Sequence, residues 1–401
     1  MSGPARWPLE TLDVGGLRRA GRAAVPFRQF VLKMHSRCNL ACAYCYVYEG
    51  ADESWRERPS RVGRDVMAKA AVRIAEHAAR HRLPVVHVNL HGGEPLLAGA
   101  APLIAYVNAV REALDARCEH PCEVRPTVQT NGTLLTERTV TDLAAEGIGI
   151  GISLDGGTAS LNARRVGRQG RSAWPAMLRG VRLLSRHPGT YLGILCTIDL
   201  ESDPLAVYRS LAGLSPPSLD FLLPHANWSA PPAGNGSATP YADWLIRVFD
   251  AWFDAGRPVT RVRLFTEIVG LLLGVASAIE AVGTSPVTAV VVDTDGAIEQ
   301  VDSLKSAYEG APATGLDVFR NSFDEALEHP GVVARQLGAD ALAAQCVDCP
   351  VVSVCGGGNY AHRYRKGAGF RNPSVYCADL ERLIRHIARR LDNGVRPNPL
   401  D

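Results

Sequence analysis

The feature that most constrains the fold is an alternation of short apolar runs with helix-like stretches over the first 225 residues. Six runs read as strands: FVLKMH (30–35), VVHVNLHG (85–92), VRPTVQT (124–130), IGIGISL (148–154), YLGILCTI (191–198) and LDFLLPH (219–225). Segments with helical periodicity separate most of them, among them RDVMAKAAVRIAEHAARH and TERTVTDLAAEG. Such alternation argues for a parallel α/β architecture. Six units suit a partial (β/α)6 barrel better than a complete eight-fold one, and reactive groups then belong on the loops that follow the strands. After residue 225 the texture changes. NWSAPPAGNGSATP is a Pro/Gly/Ser/Asn-rich connection, which breaks regular structure. Helices are expected over 241–256 and 265–280, a hairpin in TAVVVDTDGAIEQVD with DG near its turn, and a last helix near 378–392. The expected organisation is an N-terminal extension (1–28), a barrel with linker helices (29–285) and a C-terminal domain (286–401).

Net charge is +2 and 46% of residues are hydrophobic. This excludes the strongly basic footprint of a nucleic-acid or anionic-membrane binder. No apolar run reaches the ~20 residues that span a bilayer. The N-terminus lacks the basic and apolar blocks of a signal peptide, so a cytoplasmic location is expected, where thiols stay reduced. The ten cysteines are therefore informative. Cys196 reads as a small buried hydrophobe in a strand, and Cys118 and Cys122 carry no assigned role. The other seven fall into two groups, one near each end, and clustered thiols in a reducing compartment read as metal ligands.

The first group, MHSRCNLACAYCYVY, has the spacing C-x3-C-x2-C over Cys38, Cys42 and Cys45. Three thiolates can hold three irons of a [4Fe–4S] cluster and leave the fourth open. Zinc, which normally takes four protein ligands in a structural site, fits this loop poorly. The segment resembles the signature of the radical S-adenosylmethionine (SAM) superfamily. Further segments fall in that family's order at later strand ends. HGGEPLL (91–97) resembles the GGEP motif, whose backbone binds the SAM amine; QTNGTLL (129–135) and GISLDG (151–156) resemble segments lining the ribose and methionyl pocket. The resemblance implies a SAM site made by Tyr44, Gly92, Gly93, Glu94, Pro95, Gln129, Thr130, Asn131, Ser153 and Asp155, with Arg165 on the SAM carboxylate. It also implies an external one-electron reductant and a 5′-deoxyadenosyl radical as the reactive species.

The second group places Cys346, Cys349 and Cys355 at C-x2-C-x5-C, and Cys377 follows after a gap. By spacing alone, four thiolates suit either a [4Fe–4S] cluster or a structural zinc ion. The layout resembles the SPASM or twitch-like extension of radical SAM peptide maturases, which in its full form holds two auxiliary clusters. Val301 and Asn359 stand where that pattern leads one to expect cysteines. The expectation is therefore one auxiliary [4Fe–4S] cluster. In sulfatase-maturing relatives an aspartate follows the hairpin cysteine and acts as a base; by motif position it is Asp302 here.

Within this group, FVLKMHSRCNLACAYCYVYEGADESWRERP, DGAIEQVDSLK and ATGLDV resemble the FxS-type enzymes that form three-residue cyclophanes, over about residues 28 to 385. That resemblance implies a ribosomal precursor peptide as partner, an aromatic ring carbon joined to a side-chain β-carbon as product, and neither nucleic acid nor membrane as partner. The second expectation is formylglycine formation on a sulfatase, again with Asp302 as base. The third is a non-catalytic metal-binding scaffold.

Overall fold

The computed structural model describes residues 7–234, 236–256 and 260–395. Residues 1–6 of the expected extension and 396–401 of the expected C-terminal domain lie outside the described residues. Strands β1 (Gln29–His35), β2 (Val85–Gly92), β3 (Glu123–Thr130), β4 (Gly149–Ser153), β5 (Tyr191–Thr197) and β6 (Ser218–Leu222) lie side by side in chain order, all parallel. A short β7 (Arg261–Val262) continues the sheet beside β6. The partial six-unit barrel read from the sequence is therefore present, and strands from the C-terminal part of the chain extend it into one continuous ten-stranded sheet.

The helices cover the outer face because their apolar residues recur every three to four positions. Helix Arg64–Arg80 buries Val66, Met67, Ala70, Ala71, Ile74 and Ala78. Two later helices start where a side-chain cap accepts an orphan backbone N–H. Thr136 accepts from the Thr139 amide, and Asp203, followed by Pro204, accepts from the Ala206 amide. Both elements expected after the linker are shorter than their periodicity suggested: they span Pro240–Phe253 and Arg263–Leu272. Gly274, at φ +85°, takes the chain out of the second.

The expected hairpin is formed by β8 (Ala289–Val292) and β9 (Ala297–Glu299), antiparallel, with Asp295 and Gly296 in the turn. It does not stand apart from the barrel. β8 pairs in parallel with β1, from Gln29–Ala289 to Leu32–Val292, and β10 (Ala313–Asp317) pairs with β9. The strand that delivers the first cysteine group thus has β2 on one side and the hairpin on the other. A second apolar core joins Trp7 to Leu304, Leu337, Tyr360, Tyr364 and Phe370, and the chain ends in the helix Cys377–Val395. No helix among the described residues is long and apolar enough to cross a membrane.

Buried charges seat the hairpin against the segment that follows the cysteine loop. Lys305 pairs with Asp52 at 2.9 Å, and Arg58 reaches Glu299 at 2.8 Å and also pairs with Asp295. Lys305, Asp52 and Glu299 are all buried. Removing one partner of such a pair leaves an uncompensated charge, so the network fixes register more than it adds stability.

Candidate active site

The loops after β1 to β6 converge on a cavity of about 210 Å³ at the C-terminal edge of the sheet. Cys38, Cys42, Tyr44, Cys45, Gly92, Gly93, Gln129, Thr130, Asn131, Ser153 and Arg165 all line it. Glu94, Pro95 and Asp155 are not among its lining residues; the first two build the loop behind it and the third braces its wall.

The cysteine loop sits directly on the two glycines. The Gly93 amide donates to His35 O at 2.8 Å and the Glu94 amide to Arg37 O at 3.0 Å. A Cβ on Gly92 would meet His35 O at 2.3 Å, and one on Gly93 would overlap the Tyr48 hydroxyl. These glycines line the cavity and also admit the backbone that carries the cysteines, a contact the motif alone does not reveal. Glu94 then ties β2 to β3. Its carboxyl accepts from the Leu96 amide at 3.0 Å, Thr130 Oγ1 at 2.7 Å and the Asn131 amide at 2.8 Å. Burial pushes this carboxyl up to about 7, against the three hydrogen bonds that favour its ionised form. Asn131, placed by that bond, turns Nδ2 to Asn39 Oδ1 at 2.9 Å, beside Cys38.

Arg165 is engaged by Asp155 through two hydrogen bonds of 2.9 Å, from Nε and Nη2. Tyr44 donates its hydroxyl to the same carboxylate and lies under the guanidinium, 5.5 Å from ring centre to Cζ. Two of the guanidinium nitrogens are thus spent on Asp155, which leaves Nη1 for a ligand.

Burial pushes the three thiols up, Cys38 to about 12 and Cys42 to about 11, with Cys45 raised as well. All ten cysteines are free thiols. Buried thiols crowded around a cavity ionise only when a cation compensates them, which is the behaviour of metal ligands. This donor set fits a cluster bound through three thiolates.

The second cysteine group is also assembled. Cys346, Cys349, Cys355 and Cys377 line one cavity of about 240 Å³. Burial raises Cys346, Cys355 and Cys377, and the neighbouring thiolates add to the effect. Beside them Gly356, Gly357 and Gly358 take φ of +58°, +79° and +67°. That curl turns three carbonyls onto buried Arg363, whose Nη2 donates to Gly356 O and Gly358 O at 2.7 Å and Nε to Gly357 O at 3.0 Å. Only glycine adopts three such conformations in a row without strain. The guanidinium places positive charge beside Cys346 and Cys355.

Asp302 is neither solvated nor held by backbone amides. It is 8% exposed and bonds Lys33 Nζ at 2.6 Å, with His91 Nδ1 at 3.8 Å. Burial pushes its carboxyl up, but Lys33, His91 and Lys305 outweigh burial and hold it below the ordinary carboxylate range. Its Oδ1 has no hydrogen-bond partner. Asp302 lines the barrel lumen, a cavity of about 640 Å³. Tyr46, His91, Gln129 and His225 line both this lumen and the cysteine cavity, so the two spaces adjoin. Lys33 and His91 escaped the sequence reading. A lysine inside the apolar run FVLKMH was the signal that could have found the first.

Residues 32–202 match the family model of the radical SAM superfamily. Curated relatives match nearly end to end. A serine-type anaerobic sulfatase-maturating enzyme of Klebsiella aerogenes is 27% identical over 94% of this chain and 90% of its own length. A cysteine-type enzyme of Clostridium perfringens (strain 13 / Type A) is 24% identical over 92% and 98%. Among solved structures, native anSMEcpe with bound AdoMet superposes with a TM-score of 0.75 at 21% identity, over 91% of this chain and 99% of that one. Streptococcus suis SuiB bound to precursor peptide SuiA gives 0.57 at 15% identity, over 90% and 78%.

These relatives overturn the cyclophane expectation, because those matching end to end are named for sulfatase maturation. The physical reason lies in where the guiding segments fall. They build β1, the cysteine loop, β9 with the Asp302 turn, and β10. They shape the cofactor site and its support, and so carry little information about the substrate.

Two outcomes are expected of this site. Replacing Cys38, Cys42 and Cys45 together by Ala removes about four of about eight irons per chain and abolishes 5′-deoxyadenosine formation from SAM, measured by iron analysis and chromatography. Glu94→Gln places an amide NH2 against one of three donors and lowers unfolding stability by ~1–3 kcal/mol, measured by denaturant titration.

Proposed function

We propose that this radical SAM enzyme oxidises the side-chain β-carbon of a serine or cysteine in a peptide to an aldehyde, the formylglycine-forming reaction. The observation that carries the reading is the end-to-end likeness to serine-type and cysteine-type anaerobic sulfatase-maturating enzymes. The solved relatives with a bound peptide, anSMEcpe with the Cp18Cys peptide and SuiB with SuiA, support a peptide as partner.

When bound, SAM and the reduced cluster supply hydrogen-atom abstraction. In this proposal the chain does the rest. Cys38, Cys42 and Cys45 hold the radical cluster, with Gly92, Gly93, Gln129, Thr130, Asn131, Ser153 and the free edge of Arg165 around SAM. Cys346, Cys349, Cys355 and Cys377 hold one auxiliary [4Fe–4S] cluster. The target side chain enters the lumen beside Tyr46 and His91. Oxidation of CH–OH or CH–SH to a carbonyl or thiocarbonyl removes a hydrogen atom, a proton and an electron; from cysteine, water then converts the thiocarbonyl to the aldehyde and releases hydrogen sulfide. Asp302 takes the proton: it is ionised, its Oδ1 is unpaired, and it faces the lumen. Lys33 keeps it ionised and positioned.

The direct test is anaerobic incubation with SAM, reductant and a sulfatase-derived peptide bearing the target serine or cysteine. The expected serine product is lighter by two hydrogens and reacts with a hydrazide probe. A product of that mass that is inert to hydrazide would be a crosslink and would sink the proposal. Asp302→Asn should still form 5′-deoxyadenosine while aldehyde per deoxyadenosine falls by ~10²-fold or more. Lys33→Met removes the charge that holds Asp302 down and leaves burial, which raises it. The acid limb of the aldehyde pH–rate profile therefore moves up, although His91 and Lys305 still oppose burial. An unmoved limb, with cluster content intact, would separate Lys33 from the proton step.

A further inference from the structure

We infer that the rings of Tyr46, His225, His362 and Tyr376 form the path by which an electron leaves the radical site for the auxiliary site. This rests on the proposed oxidation and on the reading of both cysteine groups as iron–sulfur sites.

The four rings stand in an unbroken row. Tyr46 meets His225 edge to face at 4.5 Å between centroids, His225 meets His362 at 5.4 Å, and His362 meets Tyr376 edge to face at 4.9 Å. The ends of the row are bonded through the main chain to the two cysteine groups. Tyr46 directly follows Cys45, and Tyr376 directly precedes Cys377. Tyr46 and His225 line the cysteine cavity, whereas His362 and Tyr376 are buried at 4% and 0% exposure. The Tyr376 hydroxyl donates to Pro224 O at 2.8 Å, which clamps the far end of the row to the residue before His225.

Packing alone does not account for the two imidazoles. His225 Nδ1 and both ring nitrogens of His362 are buried without a hydrogen-bond partner. Each such atom costs about 1–3 kcal/mol, and phenylalanine would fill the space without that cost. Burial pushes His225 down to about 4 and holds His362 well below its ordinary value, so both rings are neutral and add no charge along the way.

The chemistry needs such a path. Oxidation of CH2–OH to CHO sends one hydrogen away as an atom. The other leaves as a proton, to Asp302, and an electron. That electron reduces the auxiliary [4Fe–4S] cluster by one unit, and an external one-electron carrier reoxidises it. Val301 and Asn359 provide no thiolate between the two sites. The intervening distance is therefore crossed through protein, and close-packed π systems form a denser medium than a gap or water. The rings are not themselves oxidised; they are the bridge.

The experiment compares His362→Leu with His362→Phe, and His225→Leu with His225→Phe, in protein carrying both clusters but no SAM and no peptide. One electron is delivered by a light-excited flavin, and rapid-freeze paramagnetic resonance follows its redistribution between clusters. Each leucine variant should slow redistribution by about tenfold or more, since a branched aliphatic side chain cannot reproduce the flat ring-to-ring contacts and opens gaps in the row. Each phenylalanine variant should stay within about twofold of wild type and melt at a higher temperature, because the unpaired nitrogens are gone. Wild-type rates in the leucine variants would overturn the proposal. Equal slowing by leucine and phenylalanine would overturn it in favour of the imidazole nitrogens. Loss of auxiliary iron in both leucine variants would assign the rings to packing and overturn it as well. The reading beneath it fails separately: iron near about four per chain with bound zinc, in wild type, denies the auxiliary cluster before any kinetics.

Discussion

The ion pair between Lys33 and Asp302 is the interaction on which the arrangement of the site depends. It spans 2.6 Å with both side chains at most 8% exposed. In so dry a setting the attraction is strong, yet each charge is costly to bury alone, so the two groups fold together or not at all. Lys33 lies five residues before Cys38 on β1, and Asp302 opens the turn after β9. One bond thus locks the strand that presents the first cysteine group to the segment that presents a carboxylate. The β1–β8 pairing makes the same join through the backbone. The result is a carboxylate held in its basic form in the lumen that adjoins the cysteine cavity.

The two cysteine groups face the same electrostatic problem and meet it differently. Around the first, burial favours neutral thiols, and the nearest fixed cation, Arg165, is largely neutralised by Asp155. A bound cluster must supply the compensation there. Around the second, Arg363 is buried among three glycine carbonyls, which solvate it without neutralising it. Positive charge beside an iron–sulfur cluster raises its reduction potential, since it stabilises the reduced form. A site built this way suits a one-electron acceptor, whereas a site without fixed positive charge suits a donor.

Much of this was legible in the chain. The six parallel strands followed from apolar runs and intervening amphipathic helices, and the cysteine spacings marked both thiol clusters. The DG turn located the hairpin. What the sequence hid was long-range. Nothing in HGGEP shows that Gly93 accommodates Tyr48, or that Glu94 reaches across to Thr130 and Asn131. Arg165 read as a free cation for a ligand, and Asp155 ten residues earlier occupies half of it. The substrate was misread for a related reason. Residues near Cys38 and Asp302 are constrained by cofactor and charge, so likeness there says little about which peptide enters the lumen. The imidazoles of His225 and His362 are 137 residues apart in sequence and meet only in the fold.

A peptide oxidation of this kind must dispose of a hydrogen atom, a proton and an electron without letting any of them return. In the proposed reaction they have different directions to take. The hydrogen atom leaves toward the strand ends, where the cysteine cavity lies. The proton leaves toward the hairpin edge, where Asp302 sits between Lys33 and His91. The remaining direction, past His225 toward the second cysteine group, is lined by rings whose two imidazoles burial keeps unprotonated. Separating the proton from the electron matters because their recombination on the substrate would restore the starting side chain. A carboxylate on one wall and unprotonated rings on another achieve that separation by position alone, within a single sheet.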